Sequence, residues 1–132
     1  MKVVVCGGRA YRDAAHVYAT LDAVHTSETI TALAHGGAGK IGPLTGLLLG
    51  ADRIAGAWAE THDIIPVVFP VSGDEWTAYG RAAGPRRNRL MLDAFKPDLV
   101  VAFPGGDGTA DCCVAAEQRG IEVRRIAPAD EA

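Results

Sequence analysis

LVVAFPGGDGT (residues 99–109) runs from an unbroken apolar stretch straight into a glycine-rich turn, and KVVVCGGR (residues 2–9) shows the same pattern near the start of the chain. Neither apolar run alternates with polar residues, so each is expected to be a strand covered on both faces, as in a parallel sheet. Outward from these two, further strands are expected at residues 30–35, 64–69 and 121–126. The intervals carry helical spacing: Val17, Leu21 and Val24 behind Asp13 as N-cap, then Ala51, Ile54, Ala55, Trp58 and Ala59. Met91, Ala94 and Phe95 mark a third helix opened near Pro85, and a fourth is expected from about Thr109 to Arg119, stopped by Gly120. Strands alternating with helices predict an α/β fold, a Rossmann-like three-layer sandwich around a mostly parallel five-stranded sheet.

Strand order follows from the chemistry of edges. Pro66 has no N–H to give to a ladder, and Glu122, Arg124 and Arg125 are costly in a covered strand. The third and fifth strands therefore belong at the edges and the first and fourth at the centre, which is the order 3-2-1-4-5. In that order the chain reverses direction between strands one and four, and a ligand is expected at their carboxyl ends. Both glycine loops fall there.

Those loops are Gly7-Gly8-Arg9 and Pro104-Gly105-Gly106-Asp107-Gly108-Thr109. Glycine lets an anion approach the backbone without meeting a Cβ, and the helix after Gly108 offers free N–H groups at the positive end of its dipole. Thr109 adds a hydroxyl. A phosphate-bearing ligand is therefore expected, although tight turns without a ligand use the same residues. Neither loop is a dinucleotide fingerprint. The stretch Gly36-Gly37-Ala38-Gly39-Lys40-Ile41 is no P-loop, because Ala34 and Ile41 stand where that motif needs Gly and Ser or Thr. Arg86, Arg87 and Arg89, with Asn88 among them, crowd a helix start and oppose its dipole, a conflict that a bound anion resolves and a solvated basic turn tolerates. Asp13, Asp52 and Asp111 follow glycine loops, either as chemical groups or as first-turn residues that stabilise helix N-termini. Trp76 and Tyr79 either stack on a base or cover the core. His35 is either a ligand contact or a buried, hydrogen-bonded histidine.

The composition bounds these readings. The chain has 132 residues, 48% hydrophobic and 22% charged, with a net charge of −3, which offers no broad attraction to nucleic acid or to an anionic membrane. No stretch reaches membrane-spanning length, and MKVVVCGG reads as a strand rather than a signal peptide. Three cysteines at non-metal spacings point to buried free thiols in a reducing, cytoplasmic compartment. No metal or cofactor is expected.

GGRAYRD (7–13), HGGA (35–38), GADRIAGAWA (50–59), EWTAYGRAAGPRRNRLM (75–91) and VAFPGGDGTADC (101–112) resemble the YspA-type branch of the SLOG superfamily. That superfamily also contains the LOG phosphoribohydrolases and the DNA-processing DprA proteins. The resemblance runs from Lys2 to about Ile126 and implies a Rossmann-like fold, a pocket for nucleotide-derived molecules and homo-oligomers. It does not imply catalysis, since the superfamily holds enzymes, sensors and nucleic-acid binders. LOG enzymes are similar around PGGxGTxxE, which Pro104, Gly105, Gly106, Gly108 and Thr109 match. Cys112 stands at the catalytic glutamate, with the shorter Asp111 beside it, and Arg87 or Arg89 corresponds to the family arginine. The usual HGGAxGAD segment is interrupted by an insertion at about residues 39–49, expected to act as a lid or subunit contact on a single SLOG-like domain spanning 1–132.

The expected function is to bind a nucleotide or nucleotide-derived ligand, for sensing or sequestration, at the carboxyl ends of strands one and four. The binding residues are then Gly7, Gly8, Arg9, Gly36, Gly37, Asp52, Arg86, Arg87, Asn88, Pro104, Gly105, Gly106, Gly108 and Thr109. An alternative is a phosphoribohydrolase cleaving a nucleoside 5′-monophosphate, with Arg87 or Arg89 holding phosphate or sugar and Asp111 stabilising oxocarbenium-like charge or orienting water. Nucleic-acid binding is the third reading, opposed by the acidic charge and sparse aromatics.

Overall fold

A computed structural model of the chain describes residues 1–41 and 48–129. The elements are β1 (Lys2–Cys6), α1 (Ala14–Ser27), β2 (Ala32–His35), β3 (Lys40–Ile41), β4 (Leu48–Leu49), α2 (Ala51–Thr61) and β5 (Val67–Val68). They continue through α3 (Gly73–Tyr79), a 3₁₀ turn (Gly80–Ala82), α4 (Ala83–Phe95), β6 (Leu99–Ala102), α5 (Asp107–Gln118) and β7 (Glu122–Arg125). Five strands form one parallel sheet in the order β5-β2-β1-β6-β7, the expected 3-2-1-4-5.

The two-residue period of a strand sends alternate side chains to opposite faces, and both faces are covered. Val3 and Val5 join Leu33, Leu99 and Val101 against α1 and α2. Val4, Cys6, Val100 and Ala102 meet Met91, Leu92 and Phe95 of α4 and the small residues of α5. This is why the central strands read as unbroken apolar runs. The edges behave as their chemistry demands. Pro66 immediately precedes the short edge strand β5, and the charges of β7 lie outside, with Arg124 paired to Glu122 at 2.7 Å and Arg125 to Glu117 at 2.8 Å.

Asp13 caps α1 by accepting from the His16 N–H at 3.0 Å, and Val17, Leu21 and Val24 are buried beneath it. Trp58 is fully buried from α2, its indole N–H donating to Asp22 at 2.8 Å, so the ring enters the core without stranding a donor. Pro85 is the third residue of α4, where its missing N–H costs no helical bond. Helix α5 begins at Asp107 with Gly106 as N-cap, earlier than expected, and this moves Asp111 from the first turn to the second.

Two elements depart from the sequence reading. Helix α3 stands where no helix was expected. Ser72 Oγ accepts from the Glu75 N–H at 3.1 Å and Glu75 accepts from the Ser72 N–H at 3.2 Å, a complete capping box, yet none of its residues is buried. The segment at about 39–49, expected as an inserted loop, has its described ends joined by antiparallel pairs Lys40↔Leu49 and Ile41↔Leu48. Gly39 and Gly50, at φ +126° and +99°, stand back to back at its base, where a Cβ on Gly50 would lie 2.5 Å from the Ala38 carbonyl. Residues 42–47 of this segment lie outside the described residues.

Candidate functional site

A cavity of about 250 Å³ opens at the carboxyl ends of the central strands, over the switch point between β1 and β6. Its floor is Val5, Cys6 and the Gly7-Gly8-Arg9 turn. Close packing explains the glycines. A Cβ on Gly7 would lie 2.5 Å from Ala51 Cβ, and one on Gly105 would collide with the Thr109 hydroxyl and approach the Gly8 nitrogen at 2.8 Å. Gly8 donates to the Pro104 carbonyl at 2.8 Å, which ties the two glycine loops together. Gly106, Gly108 and Thr109 then bring the first turn of α5 to the cavity. Among the described residues, no side chain caps that helix, so its leading N–H groups face the opening without an intrahelical partner.

The opposite wall is built around Asp52, in the first turn of α2 and only 4% exposed. Its Oδ2 accepts from the Gly36 N–H at 3.0 Å and the Ala38 N–H at 3.2 Å. Its Oδ1 is buried with no hydrogen-bond partner among the described residues. Burial pushes the carboxyl pKa up to about 6, against the Ala38 and Gly36 N–H groups and the charges of Arg87 and Arg53. His35 accepts from the Gly37 N–H through Nδ1 at 2.9 Å, and its Nε2 packs against Gly56. Burial, then Arg53 and Arg87, pushes its pKa down to about 4 and leaves the ring neutral. It is the hydrogen-bonded histidine of the two alternatives.

The three arginines separate. Arg87 reaches the cavity from α4, donating to the Gly36 carbonyl at 2.7 Å and the Phe69 carbonyl at 3.1 Å. A Cβ on Gly36 would collide with that guanidinium, so a side chain there would push Arg87 from its place beside the Gly36 carbonyl. Arg89 pairs with Asp111 at 3.1 Å. Arg86 lies over the Tyr79 ring, 3.9 Å from its centroid. Asn88, buried beside Arg87, donates to the Gly108 carbonyl at 3.2 Å and to Asp111 at 3.1 Å, tying α4 to α5 behind the glycine loop.

Of the residues expected to bind, Gly7, Gly8, Arg9, Gly36, Asp52, Arg87, Asn88, Gly106, Gly108 and Thr109 line the cavity together. Pro104, Gly105, Gly37, Arg86, Arg89 and Asp111 are not on the lining; Pro104 and Gly105 line a neighbouring cavity instead. Both oxygens of Asp111 are engaged by Arg89, and Oδ2 also by Asn88. Val5, Cys6, Ala38, Gly84 and Met91 also line the cavity and were not among the residues expected to bind. Gly84 and Met91 carried a signal: with Arg87 and Asn88 they follow the spacing of a single helix face. Trp76, 45% exposed, lines the mouth from α3.

A model of the family described as the YspA, cpYpsA-related SLOG family matches residues 1–79. No curated protein matches the sequence. Among solved structures, the chain is similar to UDP-GlcNAc 2-epimerase from Neisseria meningitidis bound to UDP-GlcNAc, at 18% identity and a TM-score of 0.54 over 96% of this chain. The match spans 32% of the epimerase chain, and at that identity the likeness is one of fold. Among the described residues, no helix is long and apolar enough to cross a membrane.

Proposed function

The chain belongs to the YspA, cpYpsA-related SLOG family, and from that premise we propose that it binds a nucleotide or nucleotide-derived ligand for sensing or sequestration. The observation that carries this reading is the uncapped first turn of α5 opening into the cavity beside Gly7-Gly8-Arg9. Free N–H groups and the helix dipole suit a phosphate there, and Arg9 and Arg87 add positive charge on the lining. Nucleotide cleavage is less well supported. Asp111, the carboxylate nearest the family's catalytic position, is held by Arg89 and Asn88 away from the cavity. A cytoplasmic homo-oligomer completes the proposal. Its supports are three buried free thiols and the exposed apolar edge at Ile65, Val67 and Val68.

The test is mass spectrometry of a mixed nucleotide pool incubated with the purified protein, reading both retained and released molecules. An intact nucleotide retained by the protein is expected. Free base with ribose phosphate would replace binding by hydrolysis, and an empty protein would end the nucleotide reading. Gly105→Ala is expected to weaken retention about tenfold, the scale of one lost charge-assisted hydrogen bond, because the new methyl displaces Thr109 and the Gly8 amide.

A further inference from the structure

We infer that the unpartnered oxygen of Asp52 accepts a hydrogen bond from a ribose hydroxyl of the ligand, so that the cavity selects ribonucleotides over deoxyribonucleotides. The inference rests on the nucleotide reading above and adds to it the part of the ligand that is read. Asp52 is not a solvated surface acid. Two backbone N–H groups hold Oδ2, so the carboxylate is pinned in one orientation; Asp52 lines the cavity, and its Oδ1 is buried and unpaired among the described residues. A buried acceptor left unsatisfied is costly, and a ligand donor placed against it removes that cost.

The chemistry of the pocket narrows the donor. A carboxylate repels phosphate, so the phosphate belongs with the α5 N-terminus and the glycine turn, and Asp52 faces a neutral part of the ligand. Trp76 at the mouth offers a face for a base. Between phosphate and base stands the sugar, and hydroxyls are its only hydrogen-bond donors. A divalent cation is the other natural partner of a bare carboxylate oxygen, but it takes several oxygen ligands. Among the described residues, no group of three or more His, Cys, Asp or Glu side chains is placed to hold a metal ion.

The experiment is calorimetric titration of the purified chain with the four ribonucleoside 5′-monophosphates and their 2′-deoxy and 3′-deoxy counterparts, with and without EDTA. One of the deoxy series is expected to bind about tenfold or more weakly than the ribo series, the scale of a hydrogen bond to a charged group. EDTA is expected to change nothing. Asp52→Asn is expected to shrink that preference chiefly by weakening the ribonucleotide. Equal binding of ribo, 2′-deoxy and 3′-deoxy ligands by the wild-type protein would overturn this inference alone and leave the nucleotide reading standing. So would binding abolished by EDTA. If no member of the panel binds, this inference falls, and retention from the mixed nucleotide pool decides the nucleotide reading separately. The wild-type comparison decides the matter even if the variant folds poorly.

Discussion

Burial acts on Asp52 and His35 in opposite senses. The Asp52 carboxyl rises from 3.8 to about 6 and the His35 ring falls from 6.5 to about 4. Each change corresponds to on the order of 3 kcal/mol. For Asp52 the folded state binds the proton more tightly than the unfolded one, so its contribution to stability grows as pH falls from about 6 to about 4. For His35 the unfolded state binds the proton more tightly, so its contribution is lost over nearly the same window. The two oppose each other, and wild-type stability in urea is expected to be nearly flat between pH 6.5 and pH 4 on their account. Asp52→Asn removes one side of the balance. The variant is expected to match or exceed the wild type at pH 7 and to lose stability steeply toward pH 4, when unfolding is followed at several pH values. Parallel profiles for the two proteins would refute the assignment. None of this was legible in the sequence. His35 and Asp52 were flagged beside glycines, but their protonation depends on how much water the folded chain leaves around them.

At the scale of elements, α3 and α1 show two ways of making a helix. α1 was readable from its apolar spacing, because Val17, Leu21 and Val24 are buried. α3 buries nothing, so it has no apolar period to read, and its only signature was Ser72 three residues before Glu75. Ser72→Ala is expected to cost α3 about 1 kcal/mol by removing the cap. The midpoint of global unfolding should barely move, because no core contact is lost. Amide exchange is expected to speed up across residues 73–79 alone, and the Trp76 fluorescence to respond. A large drop in the global midpoint would mean that α3 carries core stability despite its exposure.

For the molecule as a whole, the 39–49 segment is the test case. Its described ends pair with each other as a two-stranded sheet apart from the five-stranded one, and Gly39 and Gly50 bring its base together. Removing residues 40–49 and joining Gly39 to Gly50 is therefore expected to leave the five-stranded sheet intact. Leu48 packs against the core formed by α1 and α2, so its loss should lower the thermal midpoint. The expected cost is about 1–2 kcal/mol, less than that of a fully buried leucine. Circular dichroism through a thermal ramp measures both. Loss of the folded spectrum at room temperature would show that the hairpin is needed for the fold.

What the sequence determined by itself was the parallel sheet, its strand order and the end at which the cavity opens. Unbroken apolar runs at 3–5 and 99–102, Pro66 and the charges of β7 each state a local rule about burial or hydrogen bonding, and such rules hold before the chain folds. What only the tertiary structure decided was the fate of individual polar groups. Arg86, Arg87 and Arg89 are near-identical in sequence, yet one lies over Tyr79, one is fastened to the Gly36 carbonyl and one pairs with Asp111. Asp52 and Asp111 both follow glycine loops, and one lies on the cavity wall while the other is turned away. Those outcomes depend on which backbone arrives opposite each side chain from residues distant in the chain, and no local pattern encodes that meeting.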